Sequence, residues 1–186
     1  MIWRWCRAIA IGLFSLLLMV GCTAMAIDGS VAYGALNSGA TDEQPALSGD
    51  GRFLAFVSDR DGQNQLLIYD LRRRSYENLL DLKRSRAIVQ SPGLSYTGRY
   101  IVYSANESGR PDIFLYDRLT RRLEMLTRGY RGWVRNPSIS PDGRYITFES
   151  ARNGQWDIEI FDRGPNIEPD TVDSRFAVAE PSPSEE

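Results

Sequence analysis

Short apolar runs punctuated by Gly, Asp and Pro recur along the chain, and the residues within each run point to strands. Phe53-Leu54-Ala55-Phe56-Val57, Tyr100-Ile101-Val102-Tyr103 and Tyr145-Ile146-Thr147-Phe148 are rich in β-branched and aromatic side chains, which suit a pleated, half-buried surface. Asp157-Ile158-Glu159-Ile160-Phe161 alternates strictly, as a strand does when one face is buried and the other wet. The punctuation recurs with the runs. Pro45-Ala46-Leu47-Ser48-Gly49-Asp50-Gly51-Arg52-Phe53 returns as Pro92-Gly93-Leu94-Ser95-Tyr96-Thr97-Gly98-Arg99-Tyr100. It returns again as Pro137-Ser138-Ile139-Ser140-Pro141-Asp142-Gly143-Arg144-Tyr145. The displacements are 47 and then 45 positions, and they also carry Gly62 onto Gly109 and Gly154, and Tyr69-Asp70 onto Tyr116-Asp117 and Phe161-Asp162. Register kept over that span three times marks an internal repeat.

Each repeat reads as an antiparallel meander. Strand a carries a proline at its start, where a missing N–H does least harm. The Asp-Gly or Thr-Gly pair is a hairpin turn, because glycine supplies the positive φ that such turns need. Strand b follows, then a polar loop with Gly62, Gly109 or Gly154, then strand c. Strand d is expected at Tyr76–Leu80 and at Leu123–Thr127. Four short strands every 45 or so residues is the period of a propeller blade. The predicted fold is all-β, with antiparallel four-stranded propeller blades, three per chain, over residues 31–163. The third repeat stops at strand c, and a β-capable piece, Val31–Leu36, precedes the first. Propellers close with about four to eight blades, and an open arc leaves apolar faces and strand edges unpaired. A two-fold dimer is therefore expected, a six-bladed ring in which each N-terminal strand completes the partner's third blade. Thr171–Val178 is the competing source of that strand.

The two ends differ in composition from the repeats. Arg4 and Arg7 precede an apolar, uncharged run from Ala8 to Val20. That run falls short of the roughly 20 residues a membrane-crossing helix needs, so residues 1–21 read as a signal peptide. It ends in Leu18-Met19-Val20-Gly21-Cys22, which resembles the lipobox of bacterial lipoproteins, with methionine in place of the usual leucine at 19. The resemblance implies cleavage after Gly21 and lipidation of Cys22, with residues 22–30 as a linker; plain secretion with cleavage near Ala24 or Ala26 is the alternative. From Gly164 to the end the chain holds four prolines and six acids against the single Arg175. That composition predicts an acidic, proline-rich disordered tail over residues 164–186, with an acidic docking peptide as the alternative.

Composition narrows the chemistry. There is no histidine, which removes histidine bases, histidine triads and most catalytic zinc sites. The net charge of −2 implies no partner by itself. Of the two cysteines, Cys6 falls in the predicted signal peptide and Cys22 is the lipidation site that the resemblance implies, so no disulfide is expected in the mature domain. Asp70, Asp117 and Asp162 recur at the end of each strand c, and that recurrence favours turn aspartates binding backbone N–H groups over a catalytic or cation-binding ring. Ser58-Asp59-Arg60-Asp61-Gly62 suggests a calcium loop, but its equivalents lose both aspartates, and a hard cation needs several converging oxygens. Neither a metal nor a cofactor is expected. Basic residues gather in the connections: Arg72, Arg73, Arg74, Arg118, Arg121 and Arg122 between strands c and d, and Lys83, Arg84, Arg86, Arg128, Arg131 and Arg135 between blades. Most are read as solvated loop charge, with an anionic membrane surface, acidic glycan or acidic partner as the sharper alternative. Trp156 opens a strand c and is expected to pack. Trp133, flanked by Arg131 and Arg135, is the candidate partner surface, because aromatic and arginine side chains dominate interface energetics.

The run Ser140-Pro141-Asp142-Gly143-Arg144-Tyr145 followed by Trp156-Asp157-Ile158-Glu159-Ile160-Phe161-Asp162 resembles the WD40-like repeat of the TolB propeller family. The resemblance covers residues 36 to 163. It implies a non-catalytic protein-interaction module in the cell envelope, on the periplasmic side, with Tol–Pal-type components as partners and no nucleic acid. TolB also has a separate α/β domain, and no segment of this sequence is expected to correspond to it. A glycan- or ligand-binding propeller and the propeller subunit of a peptidase are the alternatives. No Gly-x-Ser-x-Gly elbow is present, which speaks against catalysis in this chain.

Overall fold

A computed structural model describes residues 36, 38–79, 88–107 and 109–172. The expected signal peptide, Cys22, the expected linker and all but Leu36 of the N-terminal strand expected at Val31–Leu36 lie outside them. Among the described residues eleven strands form three antiparallel sheets. The first contains β1 (Asp42–Leu47), β2 (Phe53–Ser58), β3 (Gln65–Asp70) and β4 (Ser75–Tyr76), paired in that order. The second contains β5 (Ile88–Leu94), β6 (Tyr100–Asn106), β7 (Pro111–Asp117) and β8 (Arg122–Met125). The third contains β9 (Val134–Ile139), β10 (Tyr145–Ser150) and β11 (Asp157–Asp162). These are propeller blades with the expected period, and the third has no fourth strand among the described residues.

The prolines do not stand at the strand starts. Pro45, Pro92 and Pro137 lie inside β1, β5 and β9, where the pairing register shifts in each sheet. The residue before each proline has positive φ: Gln44 at 56°, Ser91 at 52° and Asn136 at 51°. A β-bulge accounts for both, since the extra residue leaves the ladder and the missing proline N–H costs no hydrogen bond there. The bulges also link the blades. The Ser91 backbone N–H donates to the Gln44 amide oxygen, and the Ser91 hydroxyl to the Asn136 amide oxygen at 3.1 Å.

Sheets pack face to face, so the middle one is apolar on both sides. Ile101, Tyr103, Phe114 and Tyr116 meet Ala55, Val57, Leu66 and Ile68 of the first sheet. Tyr100, Val102, Ile113 and Leu115 meet Val134, Ile146 and Phe148 of the third. Each such fully buried Leu, Ile or Phe contributes about 1.5–3 kcal/mol. The alternation of β11 resolves in an unexpected sense. Ile158 and Ile160 are 70% and 69% exposed. Glu159 lies inward, accepting from Tyr130 Oη at 2.8 Å and pairing with Arg152 at 2.8 Å. By repeat position Ile158 and Ile160 correspond to Ile113 and Leu115, which the third sheet buries. No sheet covers that face of the third among the described residues.

Candidate interaction surfaces at the two ends of the blades

The a–b hairpins and c–d turns share one end of each sheet. The N–H groups of Leu71, Arg118 and Arg163 donate to the carbonyls of Arg52, Arg99 and Arg144. At this turn end the recurring aspartates have a defined task. Asp70 accepts from the N–H groups of Arg72 and Arg73, both at 2.9 Å, and from the Arg52 guanidinium at 3.0 and 2.7 Å. Asp117 repeats this with Leu119 N–H and Arg99, and Asp162 with Gly164 N–H and Arg144. The structural reading of these acids holds, and the repeating arginine is the partner that sequence reasoning did not assign. Each pair is 18 residues apart. Burial pushes Asp70 and Asp117 up, but the guanidinium and backbone N–H groups outweigh it and hold both below the ordinary carboxylate range. Arg144 and the Gly164 N–H hold exposed Asp162 at about 2.

Arginine also joins neighbouring blades. Arg118 stacks on Phe53 with its guanidinium carbon 4.0 Å from the ring centroid, and Arg163 stacks on Tyr100 at 4.2 Å. Both donate to a glycine carbonyl of their own blade, Gly98 and Gly143. Arg118 is therefore not a solvated loop charge; burial lowers its affinity for a proton against the pull of Glu77. The hairpins touch as well, since Asp50 N–H donates to Tyr96 carbonyl and Tyr96 N–H to Pro141 carbonyl. Gly49 stands where the third repeat has Pro141 because a Cβ there would lie 2.8 Å from the Tyr96 ring.

The b–c loops and the links between blades form the other end, joined for example by Ala151 N–H donating to Trp133 carbonyl. Trp133 is 58% exposed and Arg131 is exposed beside it. Arg135 lies 3.9 Å above the Trp156 ring and pairs with Glu149 at 2.6 Å. Trp156 is thus an exposed surface residue and not core packing; sequence position alone did not reveal that its neighbour is an arginine from β9. Arg131 also borders a groove with Arg128, Tyr130 and Arg152. Lys83, Arg84 and Arg86 lie outside the described residues. Asp59 and Asp61 are used locally, accepting from Thr41 N–H at 2.8 Å and the Gln65 amide at 2.7 Å. Among the described residues no group of three or more candidate ligands gathers to hold a metal ion, and no helix is long and apolar enough to cross a membrane.

The TolB beta propeller domain, as a family, matches residues 23–182. The chain belongs to that family. Its structure is similar to TolB from Acinetobacter baumannii at 25% identity and a TM-score of 0.58, over 72% of this chain and 32% of that one. A TolB-assigned protein of Agrobacterium tumefaciens matches at 25% identity and 0.57, over 73% and 48%. This TolB-family chain therefore spans between about a third and a half of those relatives. A prolyl endopeptidase shares the fold alone, at 15% identity and a TM-score of 0.50, over 69% of this chain and 21% of that one. No curated protein sequence matches.

Proposed function

We propose that this TolB-family propeller is a non-catalytic interaction module of the cell envelope, tethered on the periplasmic side by lipid at Cys22 after cleavage behind Gly21. Its partners on this reading are envelope proteins of the Tol–Pal type, and they dock at the link end through Arg131, Trp133 and Arg135. The observation that carries the reading is the exposure of Trp133 together with the Arg135–Trp156 stack. Aromatic and arginine side chains are the residue types that anchor interfaces. Envelope proteins captured by the tagged chain, compared between the natural sequence and Trp133→Ala, test it. Loss of a captured partner from the variant, with an unchanged circular dichroism spectrum, is the expected result; identical capture refutes the surface. Cys22→Ser tests the tether, which predicts loss of acyl labelling and release from the membrane fraction.

A second copy of the chain is the other partner, favoured by the uncovered face of the third blade. Ile158 and Ile160 project where their equivalents in the second blade bury against a neighbour, so the first blade of another copy fits the packing already used twice within the chain. Light scattering is expected to give a dimer, and Ile158→Lys with Ile160→Lys a monomer. A natural chain that stays monomeric at micromolar concentration rejects this.

A further inference from the structure

In the first and third repeats the hairpin satisfies itself. The Ser48 hydroxyl donates to Asp50 at 2.6 Å, and Asp50 also accepts the Arg52 N–H at 3.0 Å. Ser140 and Asp142 do the same, with Arg144 N–H at 3.0 Å. The second repeat has Thr97 at the aspartate's place, which leaves buried donors without their carboxylate. Ser95 and Thr97 are both buried, and such donors cost about 1–3 kcal/mol each if unpaired.

The missing carboxylate comes from another part of the chain. Asp170, only 2% exposed, accepts from the Ser95 hydroxyl at 2.5 Å, the Thr97 N–H at 2.7 Å and the Thr97 hydroxyl. Two residues earlier, Glu168 pairs with Arg99 at 2.8 Å, and its carbonyl accepts from Tyr100 Oη at 2.7 Å. The Asp170 N–H donates to the Asp142 carbonyl at 2.9 Å. Residues 164–172 are therefore docked on the turn end, against the expectation of a disordered tail from Gly164 onward; composition did not reveal that one of its acids has a receptor. The segment belongs to no strand and is held chiefly by two side chains. Arg99 keeps a donor in reserve, since its buried Nη1 makes no hydrogen bond among the described residues.

We propose that the 95–99 hairpin is a binding site for an acidic peptide of Glu-x-Asp type, kept occupied by the chain's own Glu168-Pro169-Asp170 until a partner's acidic segment displaces it. Serine hydroxyl, threonine N–H and hydroxyl form a carboxylate receptor, and Arg99 reads the second acid two residues before it. The site lies at the end opposite Trp133 and is independent of the function proposed above.

The test is fluorescence anisotropy of a labelled peptide, Asn-Ile-Glu-Pro-Asp-Thr-Val, against the full-length chain and three variants. Asp170→Asn weakens the tethered competitor, whose effective concentration is of millimolar order, and should tighten peptide binding by roughly tenfold or more. Adding Thr97→Asp in that background restores the self-satisfied hairpin and should abolish binding, as should replacing the peptide's aspartate by asparagine. Thr97→Asp alone should speed hydrogen exchange across residues 164–172, because its carboxylate competes with Asp170 while the fold is retained. The proposal is overturned if folded Asp170→Asn binds the peptide no better than the natural chain, or if the double variant binds it equally well. Unchanged exchange in folded Thr97→Asp also overturns it.

Discussion

Replacing Asp70 with asparagine should destabilise the fold far more than the same change at Asp162, although the two residues hold the same turn. The Asp70 side chain is 0% exposed and its partner Arg52 22%; for Asp162 and Arg144 the values are 43% and 33%. Asparagine keeps an oxygen for the turn N–H groups but turns an NH2 toward the guanidinium, so two charge-assisted bonds are lost. Such bonds contribute about 1.5–3 kcal/mol each when buried. Arg52 is partly solvated and can recover water, which brings the net loss at Asp70 to about 2–3 kcal/mol. At the exposed Asp162 water replaces the lost partner and screens the remaining charge, so the loss is much smaller. For a chain of this size 2–3 kcal/mol lowers the melting temperature by about 4–12 °C, readable by circular dichroism melts at neutral pH. Equal losses from Asp70→Asn and Asp162→Asn would refute the reasoning and assign the stabilisation to turn geometry, which the two positions share.

Two further outcomes follow from the same sites. Asp70, Asp117 and Asp162 have folded-state proton affinities below those of the unfolded chain. Their stabilisation is therefore complete above the unfolded value near 3.9 and disappears as pH falls through the folded ones, about 2 for Asp162. Urea midpoints should hold from pH 6 to roughly pH 4.5 and then decline toward pH 2; a flat midpoint through that lower window contradicts the assigned directions. Gly143→Ala should cost clearly more than Gly154→Ala. Both have positive φ, 82° and 88°, but a Cβ at 143 would lie 2.3 Å from the Tyr100 ring and at 154 would meet nothing. The backbone term alone is about 1–2 kcal/mol, so Gly154→Ala measures it and Gly143→Ala exceeds it; equal melting temperatures for the two variants count against the close blade packing.

The blades were legible because their signals are local. A glycine at 51, 98 or 143 fixes a hairpin, and a β-branched or aromatic run beside it fixes a strand, whatever surrounds them. What failed depended on the neighbour. Pro45, Pro92 and Pro137 look like strand starts until the bulge before each is seen. Ile158 and Ile160 carry the pattern of a buried face, but no neighbouring sheet among the described residues covers them. Trp156 reads as core because Arg135, 21 positions earlier, cannot be placed over it from sequence. The acidic tail reads as solvated because its receptor, the hairpin at 95–99, is more than 70 residues away. Periodicity reports what a segment is, and long-range partners decide what its side chains do.

Three copies of one unit in one chain also separate structure from function. A feature present in all three blades, such as the Arg52–Asp70, Arg99–Asp117 and Arg144–Asp162 pairs, answers a need that every blade has. A feature present once answers a need of that blade alone. Thr97 is such a departure, and it coincides with the one hairpin that recruits a carboxylate from outside its own repeat. Leu71 is another, standing where Arg118 and Arg163 each clamp an aromatic of the preceding blade. The first blade has no preceding aromatic to clamp among the described residues, and an apolar side chain suits a contact with a partner better than an unpaired guanidinium would. The surfaces through which this propeller acts are therefore to be sought where the repeats disagree.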